Sequence, residues 1–156
     1  MNPDPSSRFV IQKATAVRGL PPKKNFLQWL GTALPTFAEV TVRLIDEEEA
    51  MALNQSFRGK SYAPNVLAFP LDETPDGFLF GDIVICAPIV FQEAKKFGVH
   101  PHFRFAHLLI HGALHLLGYD HEKEEDACLM ETKEAIILNQ LGFPNPYDDE
   151  ASIDLA

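Results

Sequence analysis

Three histidines at a fixed spacing constrain this chain more than any other feature of its sequence. The stretch HGALHLLGYDH carries His111, His115 and His121. Two histidines four residues apart lie on the same face of a helix, one turn apart. Gly118 then allows the chain to reverse after the helix, so that a third imidazole returns to the same point. The pattern predicts a metal held by His111, His115 and His121, on a helix in the second half of the chain.

Three imidazole ligands indicate the kind of metal site. They leave one position of a tetrahedral site open, which is typical of a catalytic rather than a structural zinc. Zinc lowers the pKa of bound water to about 7. A structural site needs a fourth ligand, and Cys128 lies close enough in sequence to keep that alternative open. Histidines also accept Ni²⁺ and other divalent transition metals, so we expect one Zn²⁺ or a related ion per chain.

Two residues beside the predicted ligands have more than one interpretation. His107 continues the same helical face but lies about 12 Å from His115 along the axis, too far to share one metal. We therefore predict that His107 is a packed or hydrogen-bonded core histidine. Asp120 either accepts a hydrogen bond from a ligand imidazole, and so orients it, or caps the helix that follows.

The residue after the first histidine is Gly112. Zinc peptidases of the metzincin type carry a glutamate there, which acts as the general base. Without it, peptide hydrolysis loses the group that passes a proton to the amine leaving group. A phosphodiester instead needs positive charge on its non-bridging oxygens. Arg58 offers a planar fork that matches phosphate, with Lys60 beside it, although the pair can equally be an ordinary exposed basic loop.

Length and composition fit one globular domain, with 156 residues of which 46% are apolar. No apolar run is long enough to cross a membrane, and the first residues do not resemble a signal peptide. We therefore expect a cytoplasmic protein without a membrane partner. Cys86 and Cys128 lie far apart and form no CxxC motif, which favours two buried free thiols.

The net charge of −9 is unevenly distributed along the chain. Residues 120–156 hold eleven acidic and two basic residues, which account for the whole of it, so residues 1–119 are neutral. We expect the acidic end to stay in solvent. A neutral body with a local basic patch is able to bind RNA.

Hydrophobic periodicity predicts strands and helices in alternation. The predicted strands cover 8–14, 38–45, 65–70 and 80–88, and the predicted helices cover 22–34, 46–57, 88–97, 101–117 and 122–141. Asp46 followed by Glu49 predicts a capping box at the second helix. This order indicates an α+β fold, a single domain in which a small mixed four-stranded sheet packs with about five helices.

The same pattern suggests how the chain is divided. Residues 1–7, with two prolines and two serines, are expected to form a loose N-terminus. Residues 8–142 are expected to form one metal-dependent hydrolase domain. Residues 143–156 are expected to form an acidic, mobile tail.

Three segments resemble the YbeY family of bacterial ribosomal-RNA maturation endoribonucleases. They are HGALHLLGYDH, NQSFRGKSYAPNVLAFP and GDIVIC, which cover residues 54–121 together with the sequence between them. Arg58 matches the functional arginine of the family. The chain departs from the family pattern at Pro64, where the family has Thr, and at Ala68, where it has Ser. Any contribution of those two hydroxyls to substrate binding is absent here or replaced.

The resemblance implies a zinc-dependent endoribonuclease that prefers single strands and acts in 16S rRNA 3′-end maturation and ribosome quality control. It implies three kinds of partner: the 16S rRNA precursor, proteins of the small ribosomal subunit, and an Era-like GTPase. In that activity Arg58 and His111 are the expected catalytic residues, and Arg58 and Lys60 the expected substrate-binding residues.

Two other functions are compatible with the sequence. The first is a zinc-dependent peptidase or amide hydrolase, in which Asp120 or Glu122 replaces the missing base. The second is a non-enzymatic, zinc-stabilised ribosome-assembly factor. That factor would unfold when its metal is removed, and Arg58→Ala would weaken binding without any turnover being seen.

Overall fold

A four-stranded sheet forms where apolar side chains alternate with polar ones or run without interruption. The computed structural model describes residues 8–75 and 77–147, without the side chains of Asp72 and Glu73. Its strands are β1 (Phe9–Ala14), β2 (Ala38–Ile45), β3 (Val66–Glu73) and β4 (Leu79–Cys86). In β2 every second residue from Ala38 to Leu44 is buried, as expected for a strand with one face in the core.

The sheet is mixed, with strand order β1-β2-β4-β3. The β1–β2 and β2–β4 pairs are parallel, and β3 is an edge strand that pairs antiparallel with β4. The register of β3 shifts between Pro70 and Glu73. Proline has no N–H to donate to a neighbouring strand. An edge position tolerates Pro70 because an edge strand has a partner on one side only.

Five helices accompany the sheet. They are α1 (Lys23–Ala33), α2 (Glu47–Arg58), α3 (Ala87–Phe97), α4 (Pro101–Leu116) and α5 (Glu124–Gln140). The predicted single-domain α+β fold with a four-stranded mixed sheet and five helices is therefore confirmed. Within the described residues, no helix is long and apolar enough to cross a membrane.

Helices α2 and α4 cover opposite faces of the sheet. In β4, Ile83 and Ile85 belong to the main core with α1 and α4, whereas Val84 and Cys86 belong to a smaller cluster with α2. Helix α4 has thirteen buried residues among its sixteen. A helix that is apolar on nearly all sides must be enclosed, and α4 packs against the sheet, α1, α3 and α5. It is therefore a rigid support for the side chains that it carries.

A buried ion pair fixes the first turn of α4 to the edge strand. Arg104 is fully buried and donates to Glu93 of α3 from Nε and Nη2, at 3.0 and 2.7 Å. The Asn65 amide donates to both oxygens of the same carboxylate, at 3.2 and 3.3 Å. Asn65 directly precedes β3, so this network sets the position of α4 relative to the edge of the sheet.

The predicted capping box at α2 does not form. Asp46 makes no capping bond to α2, because its carboxylate accepts from the Thr15 hydroxyl and the Ala16 amide. Glu49 pairs with Arg43 of β2, with 2.8 Å between Oε2 and Nε. Tertiary partners thus take both side chains of the predicted capping box.

The cysteines are both free, as predicted, but they differ in burial. Cys86 ends β4 and is buried, whereas Cys128 is exposed on α5. The prediction that Cys128 is buried is wrong, because α5 turns that side away from the core.

The chain after α5 rests on the body as far as it is described. Phe143 packs against Phe103 and Trp29, with ring centroids 5.5 and 6.1 Å apart. The Tyr147 hydroxyl reaches the buried His107 of α4, 3.1 Å from its Nε2. The predicted loose N-terminus, 1–7, and the rest of the predicted tail, 148–156, lie outside the described residues.

Candidate metal centre

The last turn of α4 and the loop after it bring the three predicted ligands together. Helix α4 ends in a tight turn, in which Gly118 has a φ of +98° and Tyr119 N donates to Leu114 O at 3.0 Å. This left-handed conformation suits glycine and reverses the chain. The reversal carries His121 back beside His111 and His115.

The three imidazoles form a compact triangle. Ring centroids lie 4.6 Å apart for His111–His115, 5.3 Å for His111–His121 and 5.1 Å for His115–His121. One nitrogen from each ring can be chosen so that all three lie within 4.8 Å of one another. His111 is buried, His115 is partly buried and His121 is exposed, so the triangle opens to solvent on the His121 side.

Hydrogen bonds determine which nitrogens are free to bind. His111 Nδ1 lies 2.9 Å from Glu134 Oε2, and His115 Nδ1 lies 3.0 Å from Tyr119 O. Both of these oxygens are acceptors, so both Nδ1 atoms must donate. The two Nε2 atoms then carry lone pairs, and they face each other at 3.1 Å.

This donor set fits a divalent metal. Two lone pairs that face each other at 3.1 Å repel unless a cation or a proton lies between them. Nitrogens bound to one tetrahedral zinc at 2.0–2.1 Å are about 3.3 Å apart, which is close to the observed spacing. Within the described part of the chain, the cluster contains these three histidines and neither Cys128 nor a carboxylate. His111, His115 and His121 would hold the metal and leave a position open.

Glu134 is the main residue that sequence reasoning missed. It is fully buried on α5, and its two oxygens bridge His107 Nε2, at 2.8 Å, and His111 Nδ1, at 2.9 Å. Burial alone would raise the pKa of Glu134, but the hydrogen bonds from the two histidines outweigh it and bring that pKa to about 2. The carboxylate is therefore charged and fixes the orientation of a predicted ligand.

A sequence signal for Glu134 does exist. Met130, Ile137 and Leu138, at i−4, i+3 and i+4, are buried apolar residues on the same helical face. An acid in the middle of such a face needs a buried partner. Glu134 was counted among the acidic residues expected to stay in solvent, and for this residue that expectation is wrong.

His107 and Tyr147 complete the buried network. The prediction of a hydrogen-bonded core histidine is confirmed, since His107 is fully buried and bonded to Glu134. The Tyr147 hydroxyl donates to Glu134 Oε1 and lies 3.1 Å from His107 Nε2. Burial lowers the pKa of His107 and raises that of Tyr147, so both are neutral near pH 7. The C-terminal segment is thus linked to His111 through Glu134.

Asp120 contacts the backbone of the ligand loop. Its Oδ1 accepts from the amides of His121, at 2.6 Å, and Glu122, at 3.1 Å. The following helix begins only at Glu124, so these bonds shape the turn that carries His121.

Burial lowers the pKa of His115, with a further contribution from the neighbouring His111 and His121. A lowered pKa keeps that imidazole available as a ligand at neutral pH.

Arg58 and Lys60 are not in contact with the three histidines. Arg58 ends α2, and both side chains are exposed. Neither has a hydrogen bond or an ion pair within the described residues. Helices α2 and α4 pack on opposite faces of the sheet, so Arg58 and the triangle belong to elements on different faces. Lys60 lies in the loop that leads to β3.

Gly112 packs against the sheet. A Cβ added there would lie 3.1 Å from Cγ2 of Ile83 and 3.4 Å from Cγ2 of Val66. The position that holds the base in metzincins therefore faces the core in this protein. Its missing side chain allows α4 to approach β3 and β4 closely.

The fold and the site together define a single-domain α+β protein with an open, three-histidine site suited to a catalytic metal. The family model described as YbeY: Endoribonuclease YbeY matches residues 22–142. The chain belongs to the YbeY family.

Individual relatives agree with this assignment. The chain is 47% identical over 140 residues to an Endoribonuclease YbeY of Methylobacillus flagellatus, covering 90% of this chain and 93% of that one. It is 45% identical to an Endoribonuclease YbeY of Thiobacillus denitrificans, covering 92% and 97%. A protein from Thermotoga maritima with a known solution structure is 27% identical, with a TM-score of 0.52 over 93% of this chain and 97% of that one.

Proposed function

We propose that this chain is a zinc-dependent endoribonuclease that cleaves single-stranded RNA in 16S rRNA 3′-end maturation and ribosome quality control. One observation carries the proposal: the free Nε2 atoms of His111 and His115 face each other beside the exposed His121. A metal there is open on the solvent side, where a chain as long as RNA can approach. Membership of the YbeY family supports RNA as the substrate of this site.

The residues of the site have two roles: some would bind the metal, and others position those ligands. His111, His115 and His121 are the ligands, and a bound divalent metal supplies positive charge and lowers the pKa of water to about 7. Glu134 holds His111 in the tautomer that leaves Nε2 free. Asp120 acts on His121 through the backbone of the turn, and so positions the third ligand.

Arg58 and Lys60 are proposed to bind the phosphates of the substrate. Arg58 is exposed and has no side-chain partner among the residues that the structure describes, so its guanidinium can bind a phosphate in bidentate fashion. An RNA strand bound at the metal would extend to Arg58. Its contact with the RNA backbone beside the cleaved bond is the sense in which Arg58 is proposed to be catalytic.

Peptide hydrolysis is the less favoured activity because of Gly112. Its position faces Ile83 and Val66, so the general base of the metzincins cannot be accommodated there. The carboxylate of Asp120, a candidate replacement, is already bonded to two backbone amides.

The remaining parts of the proposal concern the setting of the reaction. We propose residues 8–142 as the hydrolase domain, residues 143–156 as a tail, and the cytoplasm as the location. The proposed partners are the 16S rRNA precursor, small-subunit proteins and an Era-like GTPase. They rest on the family resemblance rather than on a surface of this chain.

The decisive experiment incubates metal-loaded protein with a precursor 16S rRNA 3′ fragment, with and without chelator. His111→Ala and Arg58→Ala are compared with two controls of the same residue type: His102→Ala, in the first turn of α4, and Arg18→Ala, an exposed arginine of the loop between β1 and α1. We expect cleavage by the wild type and both controls, and its loss with chelator or with either site variant. Products ending in 2′,3′-cyclic phosphate would identify the RNA 2′-OH as the nucleophile.

Two results would contradict the proposal. Intact RNA with one equivalent of metal bound would favour the assembly factor. Metal-dependent cleavage of a peptide library, with RNA untouched, would favour the amide hydrolase.

A further inference from the structure

Two exposed aromatic rings flank two cations at the end of α2, and these cations have no side-chain partner among the described residues. Phe57 is 66% exposed and Tyr62 is 47% exposed, although both are large and apolar. They stand on either side of Arg58 and Lys60 within six residues of sequence. We refer to Phe57, Arg58, Lys60 and Tyr62 as the aromatic–basic segment.

The segment is held in a defined shape. Gly59 has a φ of +68° and ends α2 with bonds from Gly59 N to Gln55 O, at 3.1 Å, and from Lys60 N to Asn54 O, at 3.3 Å. The buried Asn54 amide donates to Tyr62 O at 2.9 Å. The loop therefore folds back along the last turn of α2.

Phe57 keeps one ring face in solvent. Its ring meets that of Phe69 edge to face, with centroids 5.1 Å apart and an angle of 60°. Phe69 is partly buried and packs against the smaller core cluster. Phe57 is thus positioned by the body of the protein without being covered by it.

We infer that the aromatic–basic segment binds single-stranded RNA, with a base stacked on Phe57, a second base on Tyr62, and the intervening phosphates on Arg58 and Lys60. Aromatic rings combined with cations bind single strands, because every base offers a stacking face and every linkage carries a charge. This inference rests on the proposed function, and it adds the base contacts to it.

Charge favours RNA over a protein as the occupant. Arg58 and Lys60 have no acidic partner within the described residues, so phosphates can bind both without displacing an ion pair. The core of a protein interface is depleted in lysine, whereas Lys60 lies in the middle of this segment. Stacking also favours single strands, because the bases of a duplex are already stacked on each other.

The test measures binding of a fluorescent 2′-O-methylated uridine oligonucleotide to the metal-loaded protein by anisotropy, at several salt concentrations. Gel electrophoresis shows that the oligonucleotide is intact after each titration. The variants are Phe57→Ala, Phe57→Leu, Tyr62→Ala, Arg58→Ala and Lys60→Ala. Leu129→Ala, which truncates a 61%-exposed apolar residue of α5, is the matched control.

We expect Phe57→Ala to weaken binding about tenfold and to leave the salt dependence unchanged, because stacking releases no counterions. Phe57→Leu keeps an apolar contact with Phe69 but no aromatic face, so it should weaken binding as much. Tyr62→Ala should also weaken binding at an unchanged salt dependence. Arg58→Ala and Lys60→Ala should each reduce the slope of log K against log salt by about 0.7. Leu129→Ala should bind as the wild type.

Three results would overturn the inference. If the Phe57 and Tyr62 variants bind as the wild type while Arg58→Ala does not, the segment contacts phosphate only and the proposed function stands. If the Phe57 variants no longer bind a small-subunit protein but still bind RNA as the wild type does, the segment is a protein interface. If the wild type neither binds nor cleaves single-stranded RNA, the proposed function fails together with this inference.

Discussion

At the scale of single residues, Gly112 separates this site from that of a zinc peptidase. The residue after the first histidine of the motif is directed at Ile83 and Val66, not at the open side of the metal triangle. A base at this position would be buried without a partner. This protein therefore shares the three-histidine spacing of those zinc peptidases, but the position of their general base is packed against the sheet.

Gly112→Glu tests this packing. We expect it to lower the free energy of unfolding by about 3 kcal/mol or more, because it forces an unpaired carboxylate against the sheet. Urea unfolding followed by circular dichroism measures the change. Ser56→Glu, on the exposed side of α2, is the control and should change the stability by no more than about 0.5 kcal/mol. A stable Gly112→Glu protein that hydrolyses peptides would show that position 112 faces the metal instead.

The two cysteines should differ in reactivity. Burial raises the pKa of the Cys86 thiol to about 11, so it stays protonated, and thus unreactive, well above neutral pH. Cys128 is exposed. At about pH 8 a thiol reagent should therefore modify one cysteine in the native protein and two in denaturant. Cys128→Ser should remove the native reaction, and a second fast-reacting thiol in that variant would contradict the burial of Cys86.

The sequence allowed prediction of site residues that lie close together along the chain. It did not allow prediction of residues that meet only through tertiary packing. His111, His115 and His121 lie within eleven residues, and helix geometry with one glycine turn brings them together. Glu134 belongs to another helix, and its contact with His111 depends on how α5 packs on α4. The buried apolar neighbours of Glu134 show that it needs a partner, but not which one.

At the scale of elements, α5 supports His111, one of the predicted metal ligands. Glu134 accepts hydrogen bonds from His111, His107 and Tyr147, so α4, α5 and the C-terminal segment meet at one carboxylate. Three elements thus fix the ring plane of His111 before any metal binds. That fixed orientation reduces the conformational freedom lost on binding.

Glu134→Gln should weaken metal binding by about 10–100-fold. A glutamine that accepts from His107 through its carbonyl turns its NH₂ group towards His111 Nδ1. That imidazole would then carry its proton on Nε2, where the metal binds. Competition with a colorimetric zinc chelator measures the affinity, and Glu131→Gln, on the exposed side of α5, is the control. Equal affinities for all three proteins, with the variant folded, would contradict this role.

Elements were predictable where their pattern is local. Alternation in β2 and the glycines at helix ends located strands and helices to within a few residues. The order β1-β2-β4-β3 was not predicted, because strand pairing depends on which faces the helices cover. The capping box was predicted wrongly for the same reason. Glu49 pairs with Arg43 and Asp46 accepts from Thr15, and both partners lie outside α2.

At the scale of the whole molecule, the core is independent of the metal site. The main cluster lies between the sheet and helices α1 and α4, and the triangle of histidines stands at the far end of α4 with one side in solvent. A chain of this length buries roughly 70% of its unfolded surface. A metal bound there would therefore add to the end of a helix that the sheet already holds in place.

Removal of the metal should leave the fold intact and lower its melting temperature. A ligand at 100 times its Kd stabilises the native state by about 2.7 kcal/mol, and each kcal/mol shifts the melting temperature of a chain of this size by about 2–4 °C. We therefore expect chelator to lower the melting temperature by about 5–10 °C, with the circular dichroism spectrum at 25 °C unchanged. His121→Ala, which removes an exposed ligand, should melt near the chelated wild type and respond little to chelator. Complete unfolding by chelator at 25 °C would contradict an independent core, and would favour the zinc-stabilised assembly factor over the enzyme.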